Sequence, residues 1–335
     1  MTRTALTMAL AAIVMLWTAP AEAKAKYVLK FGTVAPEGTP WAKHLRVIKK
    51  RIESKSKGQI KVKLFLGGVL GGEVEMVRAL RRGRIQGFGG STASVAEGAK
   101  MNAFMLMEFP FLFNSFKEAD YVLDKVIKND FRKLLFKKGF IFAHWHENGW
   151  RNFATKEKAI LTLKDIKGMK MRSQESPVHL AMYKALGAQA ESIAVPEVLG
   201  ALKTGMVDGF DNTPLFSSAT GWYEGIKYYT ISQHIYQPGV IMYSKKFFDK
   251  LPVALRKVVI GDMDAETKKG RQMVRVMRGG LLAIFKAAKI KVITMTPAQR
   301  KPFITACKKV HTKFAGKVGR KLFKKVQKAL KKMRK

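Results

Sequence analysis

The chain has 335 residues, a formal net charge of +39 and a single cysteine, Cys307. One cysteine excludes an intramolecular disulfide framework, so stability depends on a hydrophobic core, which this length can bury in one large or two ordinary domains. Such a charge is typical of proteins that bind nucleic acids or anionic membranes, but most of the basic residues are scattered through helix-like segments, which indicates solvated faces.

The first residues have the pattern of a cleavable secretory leader. Arg3 precedes an apolar run over residues 5–17, and Ala21-Glu22-Ala23 fits the small-x-small rule of signal peptidase, so we expect cleavage after Ala23. The alternative is an uncleaved N-terminal anchor, although the apolar run is short for a membrane span. We expect no lipid anchor, because no cysteine lies at the cleavage point. Export argues against a nucleic-acid partner.

The N-terminal part alternates strands and helices. Strand-like alternation over 27–34 is followed by a helical pattern from Trp41 to Ile52, a second strand over 60–66 and a helix over 73–82. This order predicts the α/β class, with a mixed or parallel sheet covered by helices. The glycine-rich segment 67–72 lacks the lysine and hydroxyl of a phosphate-binding loop, so we interpret it as a turn, with amides that face a cleft as the alternative.

The same alternation continues to the C-terminus. Further predicted elements are a helix at 117–128, strands at 140–145 and 151–155, a strand at 169–172, a helix capped by Ser176 that ends before Gly187, a helix over 196–205, strands at 207–211 and 240–243, a helical region over 252–288, a strand at 292–295 and a final helix after Pro297. The region 252–288 is long enough to bridge two lobes, with Gly270 and Gly279-Gly280 as expected kinks.

The C-terminal segment is strongly cationic. It carries 13 Lys and Arg and no acid between Lys308 and Lys335. Apolar residues recur at positions 310, 314, 318, 322, 326 and 330, which predicts one apolar stripe on a cationic helix. We favour packing of this stripe on the protein itself, and contact with an anionic membrane surface is the alternative.

Two histidines raise the question of a metal site. His144 and His146 flank Trp145 at strand spacing, so both rings point to one face, with Glu147 beside them. They would contribute ligands to a metal-dependent hydrolase if a third ligand joined them. None is clearly placed, so we favour packing or cleft-lining roles and predict no metal, no cofactor and no catalytic residue.

Three polar residues lie at predicted strand ends. Arg151 begins one strand, Arg172 ends another, and Asn212 follows a third. In α/β sheets the strand ends and the loops after them form the ligand crevice, where two guanidinium groups and an amide could converge on a carboxylate. Spacing alone leaves open the alternative that the arginines are ordinary strand-end charges.

The region around these residues resembles the substrate-binding subunits of tripartite ATP-independent periplasmic (TRAP) transporters, the DctP-like family. The motifs that carry the resemblance lie in order at 149–153 (GWRNF), 163–172 (LKDIKGMKMR), 186–188 (LGA), 196–198 (PEV), 201–209 (ALKTGMVDG) and Asn212. The resemblance extends from about residue 27 to about residue 288.

The resemblance implies a two-lobed, type II-like periplasmic binding protein whose mixed sheets are flanked by helices. Crossover strands and a long helix would join residues 24–149 plus 238–277, as lobe I, to residues 150–237 plus 278–335, as lobe II, after a signal peptide over 1–23. Arg172 would be the principal carboxylate clamp, Arg151 a second cationic contact and Asn212 an amide contact. Other residues implied to line the cleft are Trp41, Glu73, the 91–94 loop with Ser91, and Tyr236.

Departures from the family pattern bear on the ligand. Gln86 stands where relatives often carry an aspartate, and the segment 87–90 is unusually rich in glycine. We therefore expect a different cleft polarity.

The implied function is that of a non-enzymatic periplasmic receptor. It would close on a small organic acid and deliver it to TRAP membrane permease subunits. A competing hypothesis is a cationic interaction protein that binds anionic lipid, polysaccharide or an acidic partner on the same fold.

Overall fold

The computed structural model describes residues 25–335, so the predicted leader lies outside the described residues. Its nine strands are β1 (Tyr27–Gly32), β2 (Ile60–Phe65), β3 (Gly87–Ser91), β4 (Phe140–Thr155), β5 (Lys170–Ser173), β6 (Gln189–Ser192), β7 (Gly209–Asn212), β8 (Tyr228–Ser244) and β9 (Lys291–Thr294). They form one mixed sheet in the order β2-β1-β3-β8-β4-β7-β5-β6, and β9 pairs with β8.

Helices flank the sheet. The α-helices are α1 (Pro40–Lys55), α2 (Glu73–Arg82), α3 (Thr92–Gly98), α4 (Phe116–Tyr121), α5 (Lys128–Lys137), α6 (Leu163–Ile166), α7 (Pro177–Ala185), α8 (Val198–Lys203), α9 (Pro214–Ala219), α10 (Lys245–Phe248), α11 (Val253–Ile260), α12 (Met263–Arg275), α13 (Arg278–Ala287), α14 (Pro297–Val318) and α15 (Arg320–Met333). Shorter 3-10 segments are Asn102–Glu108, Val195–Glu197 and Trp222–Gly225, and Val122–Ile127 is π-helical.

Two long antiparallel strands run through both halves of the sheet. In the first half, β3 pairs with residues 239–243 of β8, whereas in the second half β7 pairs with residues 152–155 of β4. The sequence predicted separate strands at 140–145 and 151–155, and only a short strand at 240–243. Those bounds are wrong because three register shifts between β4 and β8 interrupt the alternation of side chains that marks a strand.

The helical region after Pro252 differs from the prediction of one long element. It consists of three helices, interrupted at Gly261, whose φ is +67°, and at residues 276–277. Gly270 lies inside α12 and does not kink it. A Cβ at Gly270 would come within 3.0 Å of His146 Nε2, so this glycine allows close packing of α12 on β4.

The C-terminal segment forms two helices, because Gly319 (φ +96°) separates α14 from α15. The apolar stripe is buried, with Val326 at 0% and Leu330 at 2% exposure, and it belongs to a core cluster shared with the first half of the chain. The predicted packing of this stripe on the protein itself is confirmed.

These features confirm the predicted fold class, an α/β protein with a mixed sheet flanked by helices. Within residues 25–335, none of the helices combines the length and the apolar composition that crossing a bilayer requires.

Candidate functional site

A cleft lies where the long strands pass from one half of the sheet to the other. Arg151 of β4 and Gln237 of β8 form its floor, Glu73 and Ser91 come from the first half, and Arg172 comes from the second. Both halves of the protein therefore contribute polar groups to one enclosed space.

The structure brings six of the seven predicted ligand-binding residues to this cleft. They are Trp41, Glu73, Ser91, Arg151, Arg172 and Asn212. Tyr236 does not line it, which corrects the prediction. Its ring packs against Phe113 and Trp150, and its hydroxyl donates a 2.6 Å hydrogen bond to Glu147 Oε2, so the side chain is part of an aromatic core cluster.

Arg172 is a buried cation without an ion-pair partner. Its Nε and Nη2 donate to the carbonyl of Ile193 at 2.9 and 2.7 Å, and its guanidinium lies 5.0 Å from the ring centre of Trp222. It forms no direct ion pair with a carboxylate of residues 25–335, although the charges of Asp211 and Glu175 act on it from a greater distance. Burial, together with the charge of Arg151, lowers its pKa to about 10, so it stays charged at neutral pH.

Arg151, by contrast, is neutralised inside the protein. Its Nε donates to Asp211 Oδ2 at 2.5 Å, and its Nη1 donates to Gln237 Oε1 at 2.9 Å. Burial opposes the charge, but Asp211 outweighs it and raises the pKa of Arg151. Burial likewise opposes the charge of Asp211, yet Arg151 holds the pKa of this carboxyl well below its usual range. Of the two arginines, only Arg172 lacks a direct carboxylate partner among residues 25–335.

Asn212 presents an amide donor to the cleft. Its Oδ1 accepts from the Thr213 amide at 2.8 Å and from Arg151 Nη1 at 3.3 Å. These bonds orient the side chain, and its Nδ2 has no hydrogen-bond partner within residues 25–335. The amide can therefore donate to a bound oxygen.

Glu73 and Ser91 are bonded to each other on the opposite wall. Glu73 Oε1 accepts from the Ser91 amide at 2.9 Å, and its Oε2 accepts from the Ser91 hydroxyl at 2.5 Å. Burial raises the pKa of Glu73 despite these bonds. The predicted 91–94 loop is in fact the start of α3, which Ser91 caps by accepting from the Ser94 amide.

The glycine-rich β3 makes room for this wall. A Cβ at Gly90 would overlap with Glu73 Oε1, and a Cβ at Gly89 would lie 3.0 Å from the Trp41 ring. Trp41 also donates its indole N–H to the Glu147 carbonyl at 3.1 Å. The unusual glycines therefore allow large side chains to lie against the strand.

A carboxylate-centred network that the sequence did not predict orders the floor of the cleft. The buried Glu108 accepts from Gln174 Nε2 at 2.8 Å and from Gln237 Nε2 at 2.9 Å, and His179 Nε2 lies 3.0 Å away. Gln174 is two residues after Arg172 in the loop that follows β5, a position that could have drawn attention to it. Nothing local marks Glu108 or Gln237.

Glu175, also unpredicted, adds a second acid to the cleft. It is half-buried, and burial raises its pKa although Arg172 partly opposes this. Its Oε2 is 3.6 Å from the position that a Cβ on Gly72 would occupy, so it approaches the start of α2, where Glu73 lies. We call Glu73 and Glu175 the acidic pair.

The histidines lie behind the wall and outside the cleft. His144 and His146 both approach His44, with ring centres 5.5 and 5.4 Å away, so they do share one face. His146 also stacks on Trp41 at 3.8 Å. Among residues 25–335, no three His, Cys, Asp or Glu side chains are grouped so as to hold a metal ion.

Known proteins resemble this chain in sequence. The sequence profile of bacterial extracellular solute-binding proteins, family 7 (DctP) matches residues 31–317. A solute-binding protein of Verminephrobacter eiseniae is 30% identical over 84% of this chain and 82% of its own length.

Solved structures agree with the profile. The sugar acid binding protein DctPAm of Advenella mimigardefordensis, in complex with galactonate, is 30% identical, with a TM-score of 0.87 over 91% of this chain and 98% of its own. A TRAP periplasmic solute-binding protein of Sulfurospirillum deleyianum with bound succinate is 28% identical, with a TM-score of 0.85 over 90% and 99%. The chain therefore belongs to the DctP family of bacterial extracellular solute-binding proteins, to which TRAP periplasmic receptors belong.

Proposed function

We propose that this protein is a non-enzymatic periplasmic receptor that binds a hydroxylated monocarboxylic acid and delivers it to TRAP membrane permease subunits. The proposal includes export through the leader at residues 1–23. The observation that carries it is Arg172, a buried guanidinium that faces the cleft with no carboxylate partner in the described chain.

A carboxylate is the anion that suits this position. Two Arg172 nitrogens are already held by the Ile193 carbonyl, so the guanidinium is fixed before the ligand arrives. A bound carboxylate would compensate its charge and accept from the free Nη1, while Asn212 Nδ2 would supply a further donor. Arg151 would act mainly through its electrostatic field and by ordering Asp211 and Gln237, to which it is hydrogen-bonded.

The charge balance of the cleft favours one carboxylate over two. Arg172 is the only cation among the described cleft residues without a carboxylate in direct contact, whereas the acidic pair places carboxyl groups in the same space. A second ligand carboxylate near Glu73 or Glu175 would meet like charge in a region of low dielectric.

The acidic pair favours hydroxyl groups on the ligand. Each carboxylate oxygen has more than one acceptor site, so Glu73 can accept a ligand hydroxyl while it keeps its bonds to Ser91. Asn148 and Gln174 add amide groups to the cleft lining. This chemistry resembles that required by galactonate, the ligand of the Advenella relative, more than that required by succinate, the ligand of the Sulfurospirillum relative.

Lobe closure would enclose the ligand. We propose lobe I as residues 24–149 plus 238–277 and lobe II as residues 150–237 plus 278–335, a division that the passage of β4 and β8 between the two halves of the sheet supports. The last helix is an exception, because α15 packs on Phe109 and is bonded to Glu118 and Asp130 of lobe I. A ligand held by Arg172 and covered by Glu73 contacts both lobes, so it binds the closed state more tightly and shifts the equilibrium towards it.

The proposal can be tested before the ligand is identified. Native mass spectrometry of the protein as purified should detect a bound acid, and calorimetry should give galactonate at least about tenfold higher affinity than succinate, because one like-charge contact costs on the order of 1.4 kcal/mol. Tighter binding of succinate would overturn the monocarboxylate assignment. Failure of every organic acid tested to bind would overturn the receptor assignment itself.

A further inference from the structure

The last helix of the chain has two opposite faces with different roles. Its apolar side packs against the first half of the protein, where the Phe323 ring lies 5.7 Å from that of Phe109. Arg334 donates to Glu118 at 2.7 Å, and Lys325 donates to Asp130 at 2.7 Å. These contacts fix α15 on the body of the protein.

The outer side of α15 carries a row of unpaired lysines. Lys321, Lys324, Lys328 and Lys331 follow one another at intervals of three or four residues, so they share one face of the helix. All four are exposed, and none forms an ion pair with another residue of the described chain. We call these four lysines the basic face.

The basic face is directed away from the packing surface. The buried residues Val326 and Leu330 lie about half a turn of the helix from Lys324 and Lys328. Since a helix rises about 1.5 Å per residue, the row extends for about 15 Å. It presents four exposed cations together on this side of the molecule.

Anionic phospholipid is the partner that fits this face. Lysine ammonium groups are compact, strongly hydrated charges suited to a diffuse negative surface, whereas paired recognition of single phosphates or carboxylates favours arginine. Single-stranded nucleic acid is a poorer fit, because it requires exposed aromatic rings for base stacking and the aromatic residue of α15, Phe323, is buried. The apolar residues of α15 are buried or half-buried against the protein, so the basic face offers no apolar residues for insertion into a bilayer.

We propose that the basic face adsorbs this protein to the anionic phospholipid surface of a membrane, electrostatically and without insertion. Adsorption would concentrate the receptor at the membrane while leaving the cleft unaltered, since the basic face contributes no residue to it. The inference does not depend on which acid the cleft binds.

A matched pair of variants tests the proposal. The first changes Lys321, Lys324, Lys328 and Lys331 to Gln. The control changes four exposed lysines of α1 and β2 that also lack ion pairs, Lys43, Lys50, Lys55 and Lys61, to Gln, which removes the same total charge. Thermal unfolding should show that both variants fold, because exposed unpaired side chains contribute little to stability.

The readout is co-sedimentation of the full mature chain with vesicles of equal parts phosphatidylglycerol and phosphatidylcholine. Because the lysines closest to an anionic surface are attracted to it most strongly, the basic-face variant should lose at least about tenfold in membrane partitioning and the control less than about threefold. Binding should weaken with added salt and be absent on phosphatidylcholine alone. Equal losses in both variants would show that the net charge acts diffusely, and unchanged binding of the first variant would also overturn the proposal.

Discussion

The guanidinium pair, Arg151 and Arg172, and the acidic pair face the same cleft but differ in how the surrounding protein compensates their charges. Asp211 compensates Arg151 directly, whereas Arg172 contacts the Ile193 carbonyl and the Trp222 ring. Both members of the acidic pair have their pKa raised, because burial disfavours their charged form. On one side of the cleft, Arg172 therefore has no carboxylate in direct contact. On the other side, the acidic pair can accept hydrogen bonds from neutral hydroxyl groups.

This difference shows how the charges of a cleft can select ligands by their number of carboxylates. A buried cation without a partner costs free energy in the unliganded protein, and a ligand carboxylate recovers that cost on binding. A second carboxylate recovers nothing, since no further uncompensated cation lines the described cleft.

Removal of the uncompensated cation should have the largest effect. Arg172→Ala should weaken binding of a sugar acid by about 100-fold or more, because the ligand carboxylate would be buried without a partner. Arg172→Lys should restore only part of the affinity, since it supplies charge without paired donors. Calorimetry measures both effects, and thermal unfolding checks that the variants fold. Affinity within about threefold of wild type for Arg172→Ala would contradict its role as the carboxylate clamp.

Acid should destabilise the wall that carries Trp41. His144 is fully buried, and neither of its ring nitrogens has a hydrogen-bond partner in the described chain. Burial, together with the nearby His44, lowers the pKa of His144 to about 3. Its folded-state pKa is below the ordinary value of 6.5, so the unfolded chain binds the proton more readily and stability falls as the pH drops below 6.5 towards 3.

The matching measurement is denaturant unfolding at two pH values. Between about pH 7.5 and about pH 5, the wild type should lose about 2 kcal/mol more stability than His144→Leu. Parallel losses in the two proteins would show that His144 is not the group that titrates.

Neutralisation of the acidic pair should change selectivity more than affinity. Glu73→Gln keeps the size of the side chain and an acceptor oxygen but removes a charge that repels a second carboxylate. The ratio of dicarboxylate to monocarboxylate affinity should rise by about tenfold, as expected for one like-charge contact in a partly desolvated site. Competition calorimetry measures the ratio. If Glu73→Gln left this ratio unchanged, Glu73 would not determine which acids bind.

The smallest expected effect is that of Tyr236, which was predicted to line the cleft but packs in the aromatic core cluster. Tyr236→Phe removes one hydrogen bond to Glu147, which keeps its ion pair with Arg275 at 2.7 Å. Stability should fall by about 1 kcal/mol, while ligand affinity should change by less than about twofold. A large loss of affinity with unchanged stability would show that Tyr236 takes part in ligand binding after all.

The sequence predicted the α/β class and six cleft residues, because strand periodicity and family motifs are local signals. It missed the continuity of β4, since bulges disrupt the alternation of side chains. It also missed Glu108 and Gln237, which are 129 positions apart and meet only after folding. Tyr236 was misplaced because neighbouring strand residues point to opposite faces, and its neighbour Gln237 is the one that lines the cleft.

The most direct test of the account compares two ligands that differ at one end. Galactonate and galactarate share a carbon skeleton and its hydroxyls, but galactarate carries a second carboxylate in place of the terminal alcohol. Calorimetry on the wild-type protein at neutral pH should give galactonate at least about tenfold higher affinity, because only Arg172 is available to compensate a ligand charge. Equal or tighter binding of galactarate would contradict the claim that the cleft accommodates a single carboxylate.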